Sequence, residues 1–149
     1  MNIKIAAQLL PIMFGCVWLS GCGGSAPDSV EVAGAQIREV LPGKQNTVAF
    51  MSLTNSSPQP CSLTGGVADF ADAIEVHQHI HSNGRMRMEK MDALPIPPGE
   101  TVVMQPGDYH MMVMGVTTPL SAGKTVSMTL VFDDCPDQQI DLQVVSVLD

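Results

Sequence analysis

The sequence predicts an all-β domain, a sandwich or barrel of about eight short strands, and three observations carry that expectation. Short apolar and β-branched runs recur along the chain, turn-forming clusters separate them, and no window sustains a helical period. The predicted strands are Val30–Val40, Lys44–Thr54, Ile74–His81, Arg85–Met91, Thr101–Gln105, Met111–Met114, Lys124–Phe132 and Gln139–Val147. Their breakers are LPGK (41–44), NSSPQP (55–60), SNG (82–84), PIPPGE (95–100) and QPGD (105–108), each rich in residues that set or tolerate turn dihedrals. TVSMTLVF, from Thr125, alternates cleanly, with Val126, Met128, Leu130 and Phe132 on one side, as a half-buried strand requires. ADFADAI (68–74) could hold one helical turn at most.

The chain has 149 residues, enough for one domain with a real core and too few for two comfortable ones. It opens with Lys4, an apolar run from Ile5 to Leu19 and small residues, the build of a secretory leader over residues 1–21. Leu19-Ser20-Gly21-Cys22 resembles a bacterial lipobox, which makes Cys22 the expected lipidation site and attaches the protein to a membrane through acyl chains. Residues 22–29 then read as a flexible tether, and residues 30–149 as the folded domain.

Without the leader the chain carries 6 basic and 15 acidic residues, a net charge of −9 with neutral histidines. So acidic a surface argues against nucleic acid and against electrostatic adhesion to anionic lipid. Cys16 leaves with the leader and Cys22 takes the lipid, so Cys61 and Cys135 remain, most simply as a disulfide in an oxidising compartment.

The chemistry concentrates in EVHQHIHSNGRMRMEKM (75–91). Asn83-Gly84 is the preferred content of a two-residue type I′ turn, which pairs Ser82 with Arg85, His81 with Met86, Ile80 with Arg87, His79 with Met88, Gln78 with Glu89 and His77 with Lys90. Alternation then places His77, His79, His81, Met86 and Met88 on one face. A core would not select three imidazoles, nor solvent two thioethers opposite them; a soft metal ion accounts for both, and thioethers favour Cu(I) over hard cations. In DYHMMVMG (108–115) the same alternation puts His110, Met112 and Met114 on one face and Met111 and Val113 on the other. The hairpin and this strand could thus close a four-ligand site, with Met88 in reach of either His77 or His79.

The spacing His77, ten residues, Met88, twenty-one residues, His110, one residue, Met112, with the flanking words NGRMRME and IPPGETVVMQPGDYHMMVMG, resembles the periplasmic copper chaperone family PCu(A)C over about Val30 to Val147. The resemblance implies a cupredoxin-like Greek-key β-sandwich and a Cu(I) site made by His77, Met88, His110 and Met112. It also implies copper as the cargo and delivery to an acceptor such as the dinuclear copper centre of cytochrome c oxidase or another copper chaperone. The expected location is the periplasm of a Gram-negative bacterium, on the outer membrane in preference to the inner. His79 and His81 depart from the family pattern and, with Met86, could form a secondary site or recruit Cu(II), which prefers nitrogen.

The competing classes are a blue-copper electron carrier, which needs a cysteine thiolate beside its histidines, and a copper- or zinc-sequestering lipoprotein. No nucleophile elbow, phosphate loop, C-x-x-C pair or paired acids with supporting context points to an enzyme.

Overall fold

Strand alternation and the turn chemistry above are realised in a computed structural model that describes residues 30–147. The expected leader, Cys22 and its tether lie outside the described residues. Ten strands follow in order: β1 (Val30–Arg38), β2 (Thr47–Asn55), β3 (Cys61–Val67), β4 (Ala71–Ser82), β5 (Arg85–Lys90), β6 (Leu94–Ile96), β7 (Thr101–Met104), β8 (His110–Val116), β9 (Thr125–Asp133) and β10 (Gln138–Val145). The sheet runs β4-β8-β2-β1-β10-β9-β3 and returns to β4, with β5, β6 and β7 added beside β4, β3 and β2. β1 and β10 are parallel, and the other pairings along this path are antiparallel. The expected sandwich is therefore closed into a barrel, which removes exposed edges along its main path.

Two strands, β3 and β6, lie beyond the expected eight, and β3 closes the barrel by pairing with β4. β3 contains Gly65 and Gly66. A side-chain carbon on Gly65 would lie 2.9 Å from the Ile74 carbonyl oxygen, and one on Gly66 would lie 2.8 Å from Met128 Cε. Glycine is what lets β3 press against both neighbours, and the ladder to β4 forms at these residues, Gly65 opposite Glu75 and Gly66 opposite Ile74. β6 contains Pro95, which sits on a terminal strand of the sheet where one missing N–H costs no ladder bond. The single helical turn allowed for residues 68–74 is replaced by a tight turn at Asp69–Phe70, after which Ala71 enters β4. Strand pairing with β8, from Ala71 opposite Val116 onward, outweighs the alanine content of that segment.

The core is what alternation dictates. From β4 it takes Ile74 and Val76, from β8 Met111 and Val113, from β9 Met128, Leu130 and Phe132, and from β10 Ile140, Leu142 and Val144. Each fully buried aliphatic side chain contributes about 1.5–3 kcal/mol of transfer free energy. Since Val76, Met111 and Val113 point inward, the residues between them, Glu75, His77, His110 and Met112, stand on the outer face of the barrel. Cys61 and Cys135 are joined by a disulfide across a sequence separation of 74, with Cα atoms 5.6 Å apart.

Candidate metal centre

The β4–β5 hairpin turns through Asn83 (φ 52°) and Gly84 (φ 72°), both in the left-handed region that a type I′ turn demands. Its register places His77 opposite Lys90, His79 opposite Met88 and His81 opposite Met86, the pairing that the turn predicts. On the other side of β4, His77 stands directly opposite His110, Val76 opposite Met111 and Glu75 opposite Met112. One outer face therefore carries, side by side, Met88 on β5, His77 and His79 on β4, and His110 and Met112 on β8.

The rings are in contact. His77 and His110 have centroids 5.9 Å apart with planes tilted by 46°, and His79 stacks on His110 at 4.8 Å. His110 is only 1 % exposed, whereas Met88 is 45 % and Met86 57 % exposed. Met112 is half-buried and shares a surface depression with Arg38, Leu41, Lys44, Thr47 and Val48. Met114 lies on the same outer face, opposite Ala73. His81 is exposed at the turn end of the hairpin, two positions beyond His79.

Hydrogen bonding assigns the protons of two imidazoles. His77 Nε2 lies 3.0 Å from Glu75 Oε2, and a carboxylate can only accept, so neutral His77 carries its hydrogen on Nε2. His110 Nδ1 lies 3.1 Å from the Asp108 carbonyl oxygen, so its hydrogen is on Nδ1. The turn over residues 105–109 presents that carbonyl, held by Asp108 N–H to the Gln105 carbonyl at 3.1 Å and Gln105 N–H to the Tyr109 carbonyl at 2.9 Å. The remaining nitrogens, His77 Nδ1 and His110 Nε2, hold lone pairs, and both are buried with no hydrogen-bond partner, as is His79 Nδ1. Buried polar atoms are nearly always satisfied, so three orphaned nitrogens on one small patch are an unusual concentration that ligation would relieve.

Electrostatics keeps the set ready. Burial lowers the pKa of His110 below the ordinary histidine range, opposed by its bond to the Asp108 carbonyl and assisted by His79 and His77. Lys90 Nζ donates to Glu75 Oε1 at 2.6 Å, and this bond, with that from His77, lowers the Glu75 pKa. Glu75 and Lys90 are absent from the candidate set read in the sequence; the signal for Glu75 was its position two residues before His77, hence on the same face. No three His, Cys, Asp or Glu side chains among the described residues are arranged to hold an ion by themselves.

The family model described as "Putative lipoprotein LpqE-like" matches residues 30–144, from the start of β1 to one residue before the end of β10. The chain belongs to this family. A relative in sequence is "Putative lipoprotein Lxx21020" of Leifsonia xyli subsp. xyli (strain CTCB07), 31 % identical over 138 residues that span 87 % of this LpqE-like chain and 81 % of the relative. Among solved structures, the Cu(I) form of DR1885 from Deinococcus radiodurans is 30 % identical, with a TM-score of 0.66, over 85 % of this chain and 84 % of that one. The copper-bound PCuAC domain from PmoF2 superimposes with a TM-score of 0.68 at 24 % identity, over 82 % of this LpqE-like chain and 97 % of that domain. The cupredoxin-like fold expected from the PCu(A)C resemblance is thus the fold of the LpqE-like barrel.

Proposed function

We propose that this protein is a membrane-anchored periplasmic copper chaperone that holds Cu(I) between His77 Nδ1, Met88 sulfur, His110 Nε2 and Met112 sulfur and passes it to a copper-requiring acceptor. The observation that carries the reading is the pair of facing imidazoles whose free nitrogens are buried and unpartnered, with one thioether on the adjoining strand β5 and another on β8 two residues beyond His110. Neutral nitrogen and sulfur donors suit a soft monovalent ion and add little attraction for hard divalent ones. The Cu(I) form of DR1885, 30 % identical and of the same fold, supports the same choice of cargo.

The position on the outer face supports a carrier in place of an enzyme: an acceptor thiolate can approach the ion directly and displace its ligands one at a time. The joined Cys61 and Cys135 count against a blue-copper electron carrier, which would need one of them as a thiolate. Cys22 is the proposed anchor, leaving residues 22–29 to span from the bilayer to β1. The acceptor is a copper-assembly partner such as the dinuclear centre of cytochrome c oxidase. His79, with His81 and Met86, is the secondary set through which Cu(II) could be taken up.

The test is a Cu(I) titration against a competing chelator for the wild-type protein and for Met88→Ala and Met112→Ala. Stoichiometric binding weakened by either substitution is expected. Absence of tight binding in the wild type, or unchanged affinity in both variants, would remove the site.

A further inference from the structure

We infer that Glu75, clamped by Lys90, is a positioning residue that fixes which nitrogen His77 offers to metal, and that Lys90 keeps the Glu75 carboxylate itself out of the coordination. The geometry accounts for both oxygens of one carboxylate. Oε2 receives the His77 Nε2 hydrogen at 3.0 Å, and Oε1 receives Lys90 Nζ at 2.6 Å. The three residues are placed by register alone: Glu75 and His77 share a face of β4, and Lys90 stands directly opposite His77 on β5.

The clamp does not owe its presence to stability. Lys90 is 55 % and Glu75 26 % exposed, and pairs so open to water contribute little to folding. Its effect falls on the imidazole. With Nε2 committed to the carboxylate, the ring cannot rotate freely, and the lone pair stays on the buried, unpartnered Nδ1. A carboxylate behind a ligating histidine also raises the basicity of that ligand.

The second consequence concerns selectivity. Glu75 lies opposite Met112 on β8, so its carboxylate is a neighbour of two proposed ligands. An unclamped carboxylate there would be a hard oxygen donor, which favours divalent zinc or Cu(II) over Cu(I). Lys90 neutralises that charge and occupies the oxygen that could turn toward the ion. The soft character of the set therefore depends on a lysine that touches no metal.

The selectivity half rests on the copper reading above; the positioning half does not, because it can be measured without metal. Nitrogen-15 imidazole spectra of the metal-free protein should show His77 with its hydrogen on Nε2 in the wild type, and a mixture of tautomers in Glu75→Ala. Cu(I) affinity should fall roughly 10–100-fold in Glu75→Ala, the usual size of an outer-partner effect on a histidine ligand, and recover mostly in Glu75→Gln, whose amide oxygen still accepts from Nε2. In Lys90→Met the Zn(II)-to-Cu(I) affinity ratio should rise by roughly tenfold or more, and the Glu75→Gln/Lys90→Met double variant should lose that rise. An unchanged His77 tautomer in Glu75→Ala, or an unchanged ratio in Lys90→Met, overturns the inference. A wild-type protein that takes up no Cu(I) would sink the copper reading instead, while the tautomer spectrum still decides the positioning role.

Discussion

His77 on β4 and His110 on β8 are a directly opposed cross-strand pair, yet the two rings offer different nitrogens to the space they share. Glu75 takes Nε2 of the first and the Asp108 carbonyl takes Nδ1 of the second, so the free donors are Nδ1 and Nε2 respectively. That inequality sets several expectations.

Adjacent methionines should behave as opposites. Met111 is fully buried, so Met111→Ala should cost about 2–5 kcal/mol of stability, read from denaturant midpoints, with copper affinity kept where the protein remains folded. Met112→Ala, on the outer face, should shift the midpoint far less and weaken Cu(I) binding. If Met111→Ala melts like the wild type, the inward assignment of that side chain is wrong.

The two histidines left open by the hairpin register should separate in the same way. His77→Ala should lose tight Cu(I) binding, while His79→Ala should keep it and lose uptake of Cu(II), followed by the electron paramagnetic resonance signal of added Cu(II). Equal loss of Cu(I) in both variants would make His79 a primary ligand.

Acid should loosen the fold in two stages. The His110 pKa is lower in the folded chain than in the unfolded one, so the unfolded state binds more protons in the interval between the two values. Stability should then fall as pH drops through the ordinary histidine value, about 6.5, and level off below the folded value. Glu75, also lowered, adds only a small second decline as pH falls from its unfolded value through its folded one, because its pair with Lys90 is open to water. Denaturant midpoints at stepped pH should show the first decline in the wild type and lose it in His110→Gln; a decline that persists in that variant must come from another group.

Reduction should act on stability and leave the metal alone. Opening a loop with a separation of 74 residues costs about 4 kcal/mol in the chain-entropy picture, so the melting temperature should drop markedly in reductant. Cys61 and Cys135 sit in β3 and in the β9–β10 connection, elements that carry none of the four proposed ligands. A Cu(I) affinity that collapses when the Cys61→Ala/Cys135→Ala variant is still folded would tie the bridge to the site.

The hairpin register was legible because Asn83-Gly84 admits one short turn, and period-two alternation then sorted His77, His79 and Met88 from Ile80 and Arg87 without further information. The same rule separated Met111 from Met112. Closure of the barrel was not legible, since Gly65-Gly66 gains its strand role only from neighbours distant in sequence, and β6 was hidden in the same way because Pro95 reads locally as a breaker. The depth of His110 was hidden for a related reason: two rings from β4 flank it, and a single strand does not announce its neighbours. Glu75 was passed over because a carboxylate looks foreign to a soft site until its lysine is seen.

The contrast in depth between His110, 1 % exposed, and Met88, 45 % exposed, gives the proposed site an inside and an outside. An ion held there would shed its thioether on β5 first and its buried imidazole last, so a visiting thiolate has one side from which to begin. Cargo would enter and leave by the same door, and that door is the free strand of the hairpin.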